Sequence, residues 1–124
     1  MARVTGVGGI FFKAADPDAL ATWYRQHLKV AFADGNFALL KWSDDPRAEE
    51  GSTVFALFAR GSDYFGTDRP FMVNFRVDDL DAVLAELRAA GAAVDDAVDD
   101  SGLGRFGWVT DPEGNRVELW QPPR

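Results

Sequence analysis

Apolar and polar residues alternate with a period of two over residues 9–14 and again over 72–77, and each run ends at an aspartate followed by a helical pattern. Displacing the chain by 63 residues lays Ile10, Phe12, Asp16, Asp18, Ala19 and Arg25 on Val73, Phe75, Asp79, Asp81, Ala82 and Arg88. Pattern and identities repeat together, the mark of a duplicated module. Asp16 and Asp79 carry the short acceptor side chain that caps a helix start, which predicts helices over 17–28 and 80–90. Pro17 suits a first helical turn and Gly91 a helix end.

Short strand-like stretches follow each helix, separated by turn residues. In the first half they are 30–33, an Asp34-Gly35-Asn36 turn, 37–42, a polar loop over 43–52, and 53–58. In the second they are 93–98, a loop over 99–104, 106–110, the turn Asp111-Pro112-Glu113-Gly114-Asn115, and 116–121. Each half reads strand-helix-strand-strand-strand, and a connector over 59–70 with Gly61, Gly66 and Pro70 joins them. The expected class is α+β, with two modules (about 5–60 and 68–122) of one domain over 1–124 forming a concave mixed sheet with helices outside. If Ile10, Phe12, Val73, Phe75 and Val77 pack under the helices, then Gly9, Phe11, Lys13, Met72, Asn74 and Arg76 face the other way. Val117 and Leu119 belong with the first set, Glu118 and Trp120 with the second.

Composition narrows the chemistry. The chain has 124 residues, no cysteine and one histidine, so thiolate nucleophiles, Cys-ligated zinc and a three-His metal site within one chain are excluded. A net charge of −7 disfavours nucleic-acid and anionic-membrane partners. The apolar run at 7–12 is too short for a signal peptide, and no window approaches a membrane span, so a soluble cytoplasmic protein is expected. Val7-Gly8-Gly9 lacks the Gly-Lys-Ser/Thr of a phosphate loop, and no serine has a nucleophile-elbow context. The pairs Asp78-Asp79, Asp95-Asp96 and Asp99-Asp100 are sequence neighbours that a strand would point to opposite faces, poor geometry for an acid/base dyad.

The doubled module, Trp23-Tyr24 with Leu28 in the first helix, Arg76-Val77-Asp78-Asp79-Leu80 at the second, and the run from Asp111 through Glu118-Leu119 carry a family resemblance. Over nearly its whole length the chain resembles the glyoxalase, bleomycin-resistance and extradiol-dioxygenase superfamily, also called the vicinal oxygen chelate family. The Asp-Pro turn, with Gly114-Asn115 tolerating positive φ, delivers Glu118 to the inward face. Lys29 departs from the pattern, since the family usually has glycine after the first helix. The resemblance implies metal ligands at the opening and closing strands of each module, positions held here by Gly9, Met72, a residue near Ala56, and Glu118. Only Glu118 is a ligand type, so neither metal nor cofactor is expected.

What remains inward is Phe11, Phe55 or Ala56, Met72, Phe106, Trp108 and Trp120 as apolar walls, with Lys13, Asn74, Arg76 and Glu118 as polar handles. Trp108 is the foremost ligand-contact candidate, and each aromatic also has a plain core reading. Three roles are open to Glu118: an ion pair with Lys13, Arg76 or another inward base, an anchor for a cationic or hydroxylated ligand, or a general base. Trp23 and Tyr24 are expected to pack the first helix, His27 to sit half-exposed in its last turn, and the acidic loop 43–51 to be a solvated surface or a rim for cations. The leading reading is a glyoxalase/bleomycin-resistance-like protein, by resemblance a homodimer, that binds a small apolar or aromatic organic molecule without the usual divalent metal. The alternatives are a lyase, isomerase or dioxygenase of the family with an atypical or intersubunit metal site, and a filled module with no cleft.

Overall fold

Asp16 and Asp79 do the same work at two helix starts. The carboxylate of each accepts from the backbone N–H three residues on, Ala19 and Ala82, at 3.1 Å in both cases. The computed structural model, which describes residues 2–3, 7–33, 36–66 and 68–123, places helix α1 at Pro17–Leu28 and helix α2 at Leu80–Ala89. The strands are β1 (Val73–Arg76), β2 (Ala93–Val94), β3 (Asp99–Ser101), β4 (Gly104–Thr110) and β5 (Arg116–Gln121), with single 3-10 turns at Trp42–Asp44 and Ala48–Glu50. β1 runs parallel to β5, the other pairings are antiparallel, and the sheet order is β1-β5-β4-β2 with β3 on β4. The class is therefore α+β with a mixed, open sheet.

Parity decides which side chains meet the helices. Val117 and Leu119 of β5 and Val109 of β4 are buried against Leu80, Leu84 and Leu87 of α2 and Leu20 and Tyr24 of α1. Burying each such side chain contributes about 1.5–3 kcal/mol. Gly107 lets α2 approach, because a Cβ there would lie 3.0 Å from a Leu84 methyl. Gly91, at φ 80°, ends the α2 turn as the sequence predicts.

The Asp-Pro turn joins the two halves. Asp111 is buried and accepts from the Glu113 and Asn115 backbone N–H groups at 2.9 Å each, from Asn115 Nδ2 at 2.8 Å, and from the Tyr24 hydroxyl at 2.8 Å. The Glu113 carboxylate then accepts from the N–H groups of Ala15 and Asp16, at 2.7 and 2.9 Å. Gly114 takes the expected positive φ, of 85°. Asn115 does not; it serves the turn through its side chain instead.

Two stretches depart from the sequence pattern. Residues 99–101, expected as loop, form β3: the hairpin turns through Gly102 and Leu103 into Gly104, which pairs with Ser101 at φ 118°. No apolar alternation announces Asp99-Asp100-Ser101, because this strand is held by its backbone ladder and an Arg105–Asp100 pair rather than by burial. In the first half, residues 9–14, 30–33, 37–42 and 53–58 carry no ladder among the described residues, apart from one bridge between Phe32 and Ala38. Residues 34 and 35 of the expected turn lie outside the described residues, but Ala33 N–H donates to Phe37 O across it at 2.9 Å. Alternation is a local property, whereas a ladder needs an adjacent edge, and Phe11 and Phe55 stand 91% and 82% exposed in the single chain.

Candidate functional site

The open face of the sheet, opposite the helices, collects the polar and aromatic half of each strand. Register places Asn74 beside Glu118, Glu118 beside Trp108, Arg76 beside Trp120, and Trp120 beside Phe106. Six of the inward residues singled out from the sequence, Asn74, Arg76, Phe106, Trp108, Glu118 and Trp120, thus occupy two adjoining cross-strand rows. Met72, half-buried, immediately precedes β1. Phe11 and Lys13 are exposed and lie on no strand, so the described chain does not bring them to this face.

Glu118 is the centre of the upper row. Its Oε2 accepts from Trp108 Nε1 at 2.9 Å and from the Tyr64 hydroxyl at 2.6 Å, and its Oε1 accepts from Asn74 Nδ2 at 2.8 Å. The carboxylate is 7% exposed, and among the described residues no cation forms a salt bridge with it. The ion pair weighed from the sequence gives way to three neutral donors, which satisfy most of the acceptor capacity of a carboxylate. Arg76 is turned elsewhere: its Nε donates to Asp45 at 2.9 Å, and its guanidinium lies 5.7 Å from the centre of the Trp120 ring. That pairing holds the Asp45 carboxyl below the ordinary carboxylate range, chiefly through the hydrogen bond from Arg76. One acid of the loop 43–51 is thereby drawn onto the face, while Glu49 and Glu50 stay exposed.

Aromatic rings surround this polar row. Phe106 and Trp120 stack 6.1 Å apart at 9°, with the Trp120 indole donating to Leu103 O at 2.9 Å. Gly104 makes room for that indole, since a Cβ there would fall 2.7 Å from Trp120 Nε1. Trp108 is 8% exposed, with Arg116 over its ring at 5.2 Å and Tyr64 edge-on at 6.4 Å. Tyr64 in turn stacks on Phe58 at 5.4 Å and 21°. Sequence reasoning missed Tyr64 because it sits in an irregular connector, where no periodicity assigns a face. It missed Arg116 although its parity with Glu118 and Trp120 was readable.

The Tyr64 phenol is pushed up to about 12, first by burial of its hydroxyl end and then by its hydrogen bond and proximity to Glu118. His27 lies in the last turn of α1, edge-on to Trp23 at 5.2 Å, and borders a depression of about 450 Å³ that Gln26, Lys29 and Glu86 also line. That depression belongs to the helical side of the sheet, away from Glu118.

A model of the glyoxalase-like domain matches residues 9–120. The chain belongs to the glyoxalase-like domain family. No curated protein matches it. Among solved structures, this glyoxalase-like domain is similar to TnmS3, an antibiotic binding protein from Streptomyces sp. CB03234, at 20% identity and a TM-score of 0.62 over 99% of this chain and 100% of that one. It is also similar to a glyoxylase/bleomycin resistance protein/dioxygenase domain from Frankia sp. EAN1pec, at 16% identity and a TM-score of 0.57 over 98% and 100% of the two chains. TioX from Micromonospora sp. ML1 shares 19% identity with a TM-score of 0.53 over 89% and 93%. At these identities the likeness is one of fold.

The family's usual divalent ion does not suit these residues. Among the described residues no three His, Asp or Glu side chains converge on one point. A cation at Glu118 would meet the N–H and O–H hydrogens of Asn74, Trp108 and Tyr64 in place of lone pairs.

Proposed function

We propose that this glyoxalase-like domain binds a small, largely apolar or aromatic organic molecule on the open face of its sheet, without a divalent metal, as a homodimer in the cytoplasm. The observation that carries the reading is the row Asn74-Glu118-Trp108 flanked by the stacked Phe106 and Trp120: apolar walls around a single carboxylate set by neutral donors. Phe11, Lys13 and Met72 enter this proposal as residues that complete the cleft when the first-half segments find an edge to pair with. That TnmS3 is an antibiotic binding protein supports a binding role over a catalytic one.

Tryptophan fluorescence titration with a panel of planar aromatic compounds tests it. Saturable quenching is expected, and Trp120→Ala weakens it by roughly two- to tenfold, the range for one lost aromatic contact. A preparation that retains about one metal ion per chain, lost in Glu118→Ala, would instead support the family's enzymes.

A further inference from the structure

The ligand chemistry that Glu118 selects can be read from what now occupies it. Of its three donors, Asn74 and Trp108 stand directly beside it in the ladder, fixed by β1 and β4. The third, Tyr64, reaches in from the connector. Among the described residues, the other hydrogen bonds of residues 59–66 stay inside that loop: Ser62 N–H to Ala59 O, Tyr64 N–H to Ser62 Oγ, and Gly66 N–H to Asp63 O. The link from this loop to the carboxylate is thus one hydroxyl, at 2.6 Å, a length typical of a charge-assisted O–H to carboxylate bond. Tyr64 is 43% exposed, whereas Glu118, to which it donates, and Trp108, which it meets edge-on, are buried, and its ring stacks on Phe58.

Building on the binding function proposed above, we infer that Tyr64 is a resident stand-in for the ligand: the Glu118, Asn74 and Trp108 cluster recognises a planar aromatic molecule bearing a phenolic hydroxyl, which displaces the Tyr64 side chain. The carboxylate already holds two neutral donors from the ladder, and a third acceptor position is filled by a neutral O–H on an aromatic ring that stacks on Phe58 and meets Trp108 edge-on. A phenolic ligand restores that hydrogen bond when Tyr64 leaves. An aryl ether cannot, and strands the buried carboxylate short of a donor.

The test is calorimetric titration of the full chain with 2-naphthol and with 2-methoxynaphthalene, while the indole N–H resonance of Trp108 reports occupancy of the site. We expect 2-naphthol to bind about tenfold or more tightly than the ether, the ratio for one hydrogen bond to a charged group. Tyr64→Phe, which removes the competing hydroxyl, tightens 2-naphthol, and Glu118→Gln collapses the ratio between the two compounds. Circular dichroism verifies that both variants are folded. Equal affinity for the two compounds, with the Trp108 resonance shifted by both, leaves the binding function standing and overturns the phenol selection. Weaker binding of 2-naphthol by Tyr64→Phe overturns the stand-in role, because Tyr64 would then be a ligand contact. Absence of binding by either compound to both the parent chain and Tyr64→Phe overturns this inference together with the function on which it rests.

Discussion

Both tyrosines of this chain donate to a buried carboxylate, Tyr24 to Asp111 and Tyr64 to Glu118, with different consequences. Tyr24 is buried in the core, and burial together with Asp111 drives its phenol far above the ordinary range. Tyr24→Phe leaves Asp111 one donor short, and urea unfolding is expected to show a loss of about 1–3 kcal/mol. The folded-state values of both phenols are raised above 10.0, so the folded protein retains protons that the unfolded chain releases. The stability contributed by Tyr64 is complete below pH 10.0 and falls as the pH rises toward about 12. Phenolate absorbance should show Tyr64 titrating at lower pH in Glu118→Gln, though still above 10.0, because burial is the larger cause of its shift. A Tyr64 titration unchanged by that substitution would separate the two groups. Neither partner was visible from the residues alone: Glu118 was readable as inward, but a hydrogen bond to a residue 54 positions away is set by where the connector lies.

Helix α1 ends at a position where the sequence itself signals conflict. Lys29 adopts φ 59° and ψ 28°, and among the described residues no other non-glycine has positive φ. The left-handed conformation costs an ordinary residue about 1–2 kcal/mol, which explains why glycine suits a helix end of this kind. The Lys29 ammonium donates to Gln26 O at 2.7 Å, a partial return. Lys29→Gly should stabilise the chain by about 0.5–1 kcal/mol in thermal or urea unfolding, the conformational gain being reduced by the greater freedom of glycine in the unfolded chain. Both helices, their aspartate caps and the strands β1, β4 and β5 were legible because periodicity and capping are local signals. β3 was not, since its three residues Asp99, Asp100 and Ser101 are exposed and polar and are ordered by hairpin geometry.

Taken as a whole, the molecule is asymmetric where its sequence is repeated. Among the described residues the second half supplies all five strands of the sheet, whereas the first contributes α1 to the core and leaves Phe11, Val54, Phe55 and Leu57 exposed, with one edge of β1 unpaired. Large exposed apolar side chains on strand-patterned segments are the condition under which a second copy supplies the missing edge. Light scattering is therefore expected to give about twice the 13.6 kDa chain mass, and Phe55→Asp to shift the population toward monomer. A parent chain that remains monomeric at high concentration would remove this expectation. By itself the sequence determined the repeat, the helices and which residues of the closing strands share a face, because each follows from spacing along the chain; the family entered through the likeness of its motifs. Only the tertiary structure decided that Glu118 is held by neutral donors, that Arg76 turns to Asp45, and that Tyr64 closes the row. Those choices depend on which distant segments come within hydrogen-bonding reach, and spacing carries no record of that.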